Sequence, residues 1–194
     1  MPRKFMFTKE EIVASAFEIV REGGLSALTA RSLAEKLGCS AKPIFGLFKS
    51  MDELSSEVKK MAEAYYEVSW KNAFDTAAGP PYKASGMAYI RFAAEEKELF
   101  KILFMRDRSG ETVADSREEI RPILEYLKKS LGISEDEACR FHLEMWIFTH
   151  GIAAMVNTGY LPLDNEFISR SLTDVFSALA AKYKGELQGK KLWQ

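Results

Sequence analysis

Residues 28–49, Leu-Thr-Ala-Arg-Ser-Leu-Ala-Glu-Lys-Leu-Gly-Cys-Ser-Ala-Lys-Pro-Ile-Phe-Gly-Leu-Phe-Lys, decide the fold of the first part of the chain. Apolar residues at helical spacing predict two short helices, one on either side of Gly38. Gly38 can adopt the left-handed conformation that reverses the chain. Ser40 can cap the second helix, and Pro43 falls in its first turn, where a missing amide costs least. The stretch therefore predicts a helix-turn-helix, a motif whose second helix can enter the major groove of DNA.

Helix signals continue on both sides of this stretch, and strand signals are nearly absent. Three capping boxes of the form S/T-x-x-E begin at Thr8, Ser50 and Ser134, and each precedes apolar residues at helical spacing. We therefore predict an all-α fold. The predicted helices span about 8–22, 29–37, 40–47, 51–76, 82–96, 97–106, 113–131, 134–160 and 164–184.

The composition is that of a globular protein whose charge is unevenly distributed. The chain has 194 residues, of which 47% are hydrophobic, and a net charge of -1, which excludes a polycation and an acidic tail protein. Residues 1–50 carry a charge of +3, and the remainder carries −4. A basic first part indicates a polyanion partner at one end, with a chance fluctuation as the alternative. Only two cysteines are present and no apolar run is long enough to span a membrane, so we expect a cytoplasmic protein.

Several of these segments resemble a known family. Residues 8–55 resemble the DNA-binding part of the TetR family of bacterial transcriptional regulators, because the helix spacing, the turn at Gly38 and the capping box after the motif all agree. Residues 146–152, Trp-Ile-Phe-Thr-His-Gly-Ile, resemble the W-x-x-x-H-G signature of one C-terminal subclass of that family. Residues 98–104 resemble the segment that precedes that signature.

The resemblance implies a domain organisation and a set of partners. Residues 1–50 would form a three-helix DNA-binding domain, and residues 51–194 would form a helical domain for ligand binding and dimerisation. The protein would bind a palindromic operator in double-stranded DNA as a homodimer. It is expected to act as a repressor that a small apolar effector releases or retunes, with no membrane partner.

The candidate DNA contacts lie in the helix-turn-helix. They are Thr29, Arg31, Ser40, Ala41, Lys42, Phe45 and Lys49. We expect Ala41 and Lys42 to face bases, and the hydroxyls together with Lys49 to contact phosphates. A plain helix cap is the alternative role for Thr29, and a solvated position is the alternative for Arg31.

Three residues of the second motif helix depart from the family pattern. The family usually has Tyr where Phe45 stands and often His where Leu47 stands, and neither residue here can donate a hydrogen bond. Gly46 also lacks the side chain that is usual there. These departures keep open a second interpretation, a helical small-molecule-binding or adaptor dimer without specific operator recognition.

Large apolar residues with a few polar neighbours mark a candidate effector pocket. The candidate lining residues are Tyr89, Phe92, Phe100, Phe104, Met105, Trp146, His150 and Asn157. Ligand pockets are mostly apolar and contain few polar groups, which favours the stripe of the eighth predicted helix that combines both. An ordinary core is the alternative for such a stripe, and a buried hydrogen-bonding role is the alternative for His150.

The last two predicted helices carry long apolar stripes, which must be buried against another part of the protein or a second copy. The candidate dimer-interface residues are Phe148, Ile152, Met155, Ile168, Leu172, Val175 and Leu179. A four-helix bundle formed with a second copy would bury them, and ordinary burial within the chain is the alternative. Gly151, inside the eighth helix, would let another helix approach closely.

Motifs typical of enzymes are missing from the sequence. It has no Gly-rich phosphate loop, no G-x-S-x-G turn and no C-x-x-C pair. The only two histidines lie eight residues apart, whereas zinc usually takes pairs four apart on one helix. We therefore predict no catalytic activity, no cofactor and no metal site.

Overall fold

The structure, a computed structural model, describes residues 7–110 and 120–185, and the regular structure in these ranges is helical throughout. The α-helices are α1 (Lys9–Gly23), α2 (Ala30–Lys36), α3 (Lys42–Leu47), α4 (Met51–Asp75), α5 (Pro81–Glu95), α6 (Lys97–Phe104), α7 (Arg121–Leu131), α8 (Glu135–Asn157) and α9 (Asn165–Tyr183). One turn of 3-10 helix spans Leu25–Ala27. The predicted all-α fold is confirmed.

The observed helix ends lie close to the predicted ones in the described ranges. The predicted helix 113–131 is the exception, because residues 111–119 lie outside the described part of the chain. The described helix α7 has Pro122 in its first turn, where the missing amide is tolerated. Pro122 therefore lies at the start of this helix and not at a kink inside it. No helix of the described ranges is long and apolar enough to cross a membrane.

The described residues divide into two compact units. The first comprises 7–69 and Glu95–Arg106, and the second comprises Trp70–Ala94, 107–110 and 120–185. The first boundary falls inside α4, and the second falls at the last residue of α5.

The first unit has an apolar core to which each of its helices contributes. Helix α1 packs against α2 and α6. Buried apolar side chains of this core are Ile12, Ala16, Val20, Leu33, Ile44, Phe48, Leu54, Val58, Leu99 and Phe100. The capping box of Thr8 and Glu11 begins α1, as the sequence predicts.

The second unit is held together by a cluster of aromatic rings around Tyr82 of α5. The rings of Tyr126, Phe141 and Phe176 lie 6.5, 6.3 and 5.6 Å from the Tyr82 ring, between centroids. Helix α8 packs against α7 and α9. Ser134 begins α8 with the capping box predicted from the sequence.

Two predicted caps differ in the structure. Ser40 does not cap α3, because the N-cap residue is Ala41, which makes no side-chain cap. If Ser40 were the N-cap, Pro43 would be the third helical residue, and its missing amide would remove one partner of the cap. At the start of α4 the Ser50 hydroxyl accepts from the Glu53 amide, but the Glu53 carboxylate accepts from the amide of Lys49 and not of Ser50.

Candidate functional sites

The turn between α2 and α3 has the geometry predicted from the sequence. Gly38 has a φ of 64°, in the left-handed region, and an added Cβ would meet nothing within 4 Å. The backbone conformation, not crowding, therefore favours glycine here. The Gly38 amide donates to the Glu35 carbonyl, and the Cys39 amide donates to the Ala34 carbonyl. These bonds give hydrogen-bond partners to two carbonyl groups at the end of α2.

Helix α3 has a buried face and an exposed face. The side chains of Ile44 and Phe48 are fully buried and anchor the segment in the core of the first unit. Lys42, Phe45 and Gly46 are exposed, and Phe45 retains 50% of its accessible surface. A helix of six residues is too short to be stable alone, so this packing orients the exposed face.

Of the remaining candidate DNA contacts, Ala41 is half-buried and the other four are exposed. Thr29 is the N-cap of α2, and its hydroxyl accepts from the Ser32 amide at 3.0 Å. The Ser32 hydroxyl accepts in return from the Thr29 amide at 3.0 Å, a reciprocal cap that the S/T-x-x-E pattern does not include. Arg31, Ser40 and Lys49 are exposed.

The start of α4 is fastened to the helices around it by Glu53. The Lys49 amide donates to the Glu53 carboxylate at 2.7 Å, and the Lys9 ammonium lies 3.6 Å from the same carboxylate. The hydrogen bond from the Lys49 amide and the nearby Lys9 charge lower the pKa of Glu53. Lys9 also lies over the Phe48 ring, at 5.1 Å from its centroid. Through Glu53, the start of α4 is held beside α1 and the segment that follows α3.

In the second unit, three candidate pocket residues form one contact group. Tyr89 Oη and His150 Nδ1 share a hydrogen bond of 2.7 Å. The ring of Trp146 stacks on His150 with centroids 5.0 Å apart. Burial and the nearby Arg108 charge lower the pKa of His150, which favours a neutral imidazole.

The other candidate pocket residues are divided between the two units. In the second unit, Asn157 is buried and its amide donates to the Ala93 carbonyl at 3.0 Å, while Phe92 is also buried. Phe100, Phe104 and Met105 belong to the first unit. Phe100 is fully buried there, whereas Met105 is 45% exposed.

Comparison with known proteins identifies the family of the chain. A family model for the tetracyclin repressor-like C-terminal domain matches residues 82–180. The chain belongs to the TetR family. The search of curated proteins gives no match.

Solved structures resemble more than nine tenths of the chain at low sequence identity. A protein of unknown function from Rhodococcus sp. RHA1 is 16% identical, with a TM-score of 0.69 over 94% of this chain and 99% of that one. A transcriptional regulator from the same source is also 16% identical, with a TM-score of 0.60 over 92% and 98%. The TetR family protein ActR of Streptomyces coelicolor, solved with (S)-DNPA, is 17% identical, with a TM-score of 0.51 over 91% and 87%. These likenesses support the fold.

Three residues expected at the dimer interface of this TetR-family chain are core residues of its second unit. Ile152, Ile168 and Leu172 retain only 8%, 0% and 3% of their surface in the single chain. They are covered by their own unit, which is the intrachain burial left open as the alternative. Phe148, Val175 and Leu179 are half-buried, and Met155 is exposed.

A different stripe of α8 faces outward. We call Leu143, Ile147, Gly151 and Met155 the outer α8 stripe, because they follow one another at intervals of four residues. Leu143, Ile147 and Met155 are 37%, 60% and 47% exposed, and an added Cβ at Gly151 would meet nothing within 4 Å. Sequence periodicity missed Leu143 and Ile147, because it shows an apolar stripe but not which stripe its own domain covers.

No sequence pattern marks the charged cluster that lies in the first unit. The Arg21 guanidinium of α1 makes two hydrogen bonds to the carboxylate of Glu96, which is 9% exposed. The Tyr65 hydroxyl of α4 donates to the same carboxylate at 3.2 Å. Hydrogen bonding to Glu96 raises the pKa of Arg21. Glu96 is the N-cap residue of α6 but makes no side-chain cap, because its carboxylate is turned to Arg21.

A groove of about 530 Å³ also lies in the first unit. Its lining residues are Leu25, Asp52, Ser55, Ser56, Lys59, Glu98, Lys101, Ile102 and Arg106. None of the candidate pocket residues lines it. Among the described residues, no group of three or more His, Cys, Asp or Glu is arranged to hold a metal ion.

Proposed function

We propose that this TetR-family regulator is a homodimeric repressor that binds a palindromic operator and is released or retuned by a small apolar effector. The observation that carries the proposal is the helix-turn-helix of the first unit. Its α3 is anchored by Ile44 and Phe48 and presents Lys42 and Phe45 outward. The functional division at residue 50, between DNA binding and effector binding, is part of the proposal.

DNA binding is supported by the residues around the exposed face of α3. Lys42, Lys49 and Arg31 are exposed cations, and exposed hydroxyls at Thr29 and Ser40 lie on the same motif. Cations supply affinity by neutralising phosphates, and this affinity falls as salt is added. Residues on α3 itself would reach base edges in the major groove.

Homodimerisation is supported by the outer α8 stripe. Glycine within a helix costs up to about 1 kcal/mol relative to alanine. At Gly151 nothing in the described chain approaches closely enough to need the missing side chain, so the cost has no compensation within one copy. A second copy that crosses α8 at Gly151 would use the gap and cover the exposed Leu143, Ile147 and Met155.

A charged substitution tests this interface. Ile147→Glu places a carboxylate at the centre of the proposed interface, and we expect the dimer to dissociate into monomers. Operator affinity should fall as well, because a twofold operator is bound by two helix-turn-helix motifs, one from each copy. Val68→Glu is the matched control, since Val68 is 70% exposed and belongs to α4, not to α8. Sedimentation velocity measures both variants. A dimeric Ile147→Glu protein would contradict the proposed interface.

Effector binding is supported by the contact group of Tyr89, Trp146 and His150. A stacked indole and a neutral imidazole offer flat apolar surface together with hydrogen-bonding capacity. This chemistry suits a planar, largely apolar molecule with one or two polar groups. ActR, a neighbour of similar fold, is solved with the small molecule (S)-DNPA.

Signal transmission is supported by the continuity of α5 with the Arg21–Glu96 bridge. Tyr89 and Phe92 lie on α5, and Glu96 follows Phe92 by four residues. A ligand that prefers one arrangement of α5 would shift the position of Glu96. Because Glu96 binds Arg21 of α1, the DNA-binding helices α1 to α3 would move with Glu96. Helix α4 would transmit this movement between these helices and the rest of the chain.

A gel-shift titration with the protein's own upstream DNA tests the function. We expect nanomolar binding to one palindrome, weakening steeply with salt. Lys42→Ala should lower this affinity about tenfold or more, as the loss of a good base contact does. Lys60→Ala is the charge-matched control, because Lys60 pairs with Glu57 at 2.7 Å on the exposed side of α4. Weak, sequence-blind binding would favour the adaptor interpretation instead.

A further inference from the structure

The exposed face of α3 has an unusual chemical composition for a surface that reads bases. Between Ala41 and Leu47, Lys42 is the only residue whose side chain forms hydrogen bonds, and no side chain there can accept one. Adenine and cytosine display amino groups in the major groove, and an amino group is read by an acceptor. The side chains of α3 therefore cannot read either base through its amino group.

Two kinds of base feature remain for these side chains to read, acceptor atoms and the thymine methyl group. Guanine presents two neighbouring acceptors, N7 and O6, whereas adenine and thymine each present one, so guanine is the best partner for the Lys42 ammonium. Thymine presents its C5-methyl group, which an apolar side chain can cover. Lys42 and Phe45 are three residues apart and Ala41 and Phe45 are four apart, so all three share one face of the helix.

The position of Phe45 shows which side chain can cover a methyl group. Its ring is 50% exposed, whereas Ile44 and Phe48 on the other face are fully buried. The ring therefore contributes little to the core and projects from the first unit beside Lys42. Exposed Gly46, which has no side chain, leaves the flank of the ring open.

We propose that Phe45 selects thymine by packing its ring on the C5-methyl group, while Lys42 contacts guanine close by. This inference rests on the proposed function and specifies what its reading surface recognises: a half-site with thymine under Phe45 and guanine within reach of Lys42. Specificity at the thymine position comes from apolar contact, without a hydrogen bond to the base.

Replacing thymine by uracil tests this contact, because the exchange removes only the methyl group. The probe is a duplex of about 30 base pairs, spanning two half-sites one helical turn apart, enriched from a random pool by the full-length protein. Each thymine of one half-site is replaced in turn by deoxyuridine, and the affinity is measured by fluorescence anisotropy. For one thymine in each half-site we expect about fourfold weaker binding, which is the effect of losing one buried methyl group.

The variants are compared by the ratio of thymine to uracil affinity, which does not depend on the active fraction of each preparation. Phe45→Ala should bring the ratio to about one, and Phe45→Tyr, which keeps the ring, should preserve it. Lys42→Ala should weaken binding to both duplexes and leave the ratio unchanged.

The outcomes separate this inference from the proposed function. If the wild-type protein binds its enriched palindrome tightly but no uracil replacement weakens binding, the role of Phe45 is overturned and the repressor function stands. The same conclusion follows if Phe45→Ala keeps the wild-type ratio. If no sequence is enriched from the pool, the proposed operator recognition fails and this inference fails with it.

Discussion

Two tyrosine–histidine pairs join α5 to α8 within the second unit, and they differ in their surroundings. Tyr82 Oη lies 3.1 Å from His142 Nδ1, and Tyr89 Oη lies 2.7 Å from His150 Nδ1. Tyr82 lies inside a cluster of aromatic rings, and burial alone lowers the pKa of His142 to about 4. The pKa of His150 is also lowered, and both histidines are half-buried, but the ring of His150 is stacked by Trp146.

This difference in surroundings shows how a tyrosine–histidine pair can stabilise the fold in one place and be available for ligand binding in another. Around Tyr82 the three neighbouring rings leave little room, so this pair contributes to the packing of the unit. Around His150 one ring face is occupied by a half-buried indole, which a flat ligand could displace or extend. Substitutions at the first pair should therefore change stability, and those at the second should change it less.

The largest expected effect comes from removing an aromatic ring at each pair. Tyr82→Ala removes a ring that contacts Tyr126, Phe141 and Phe176, and should destabilise the fold by about 3–5 kcal/mol, because the rigid cluster would be left with a cavity. Trp146→Ala should cost less than half of this, since Trp146 is only half-buried. Urea unfolding followed by circular dichroism measures both. Equal losses would show that the two surroundings do not differ.

The second-largest expected effect is the change in the free energy of unfolding at acidic pH, which should differ between the two histidines. The pKa of His142 is about 4 in the folded protein and about 6.5 in an unfolded chain. The unfolded chain therefore binds a proton more readily between these values. Stability from this residue is complete above about pH 6.5 and is lost as the pH falls towards 4, by about 3 kcal/mol.

A comparison of variants isolates the contribution of each histidine from that of the carboxylates. His142→Gln should flatten the fall in unfolding free energy between pH 7 and about 4.5, because the group that must be protonated is gone. His150→Gln should reduce the fall in unfolding free energy over the same pH range by a smaller amount. Unfolding titrations at several pH values give the slopes, and an unchanged slope in His142→Gln would contradict the assignment.

Local features of the first unit could be predicted from the sequence, because each depends on residues close together in the chain. The turn at Gly38, the buried Ile44 and the exposed Lys42 follow from helical periodicity and turn chemistry. The failed cap at Ser40 is also local. Ser40 has the right residue type for a cap, but Pro43 lacks one of the two amides that such a cap could use.

Contacts between distant parts of the chain could not be predicted. Tyr89 and His150 are both candidate pocket residues, but no sequence pattern pairs them across 61 residues, and the bridge from Arg21 to Glu96 spans 75 residues. Periodicity shows that a helix has an apolar face, but not which other helix covers it. For that reason periodicity assigns Ile152 to the dimer interface, whereas in the single chain Ile152 is buried and Ile147 is exposed.

The smallest effect, and the closest comparison of the two pairs, comes from removing a single hydroxyl group. Tyr82→Phe leaves Nδ1 of His142 without this hydrogen bond beside the cluster of rings around Tyr82, and should cost about 1–3 kcal/mol. Tyr89→Phe should cost about 0.5–1 kcal/mol, because water can reach the half-buried His150 and replace the bond. Each variant keeps its aromatic ring, so packing changes little and the difference reports the hydrogen bond alone.

Double variants then check that each cost belongs to its own pair. Combining Tyr82→Phe with His142→Phe should cost less than the two single costs added together, because the partner left without a hydrogen bond is also removed. The same cycle at Tyr89 and His150 should show a smaller coupling. If the coupling at the second pair is the larger one, His150 holds the fold as firmly as His142 does, and the effector site must be sought away from Trp146.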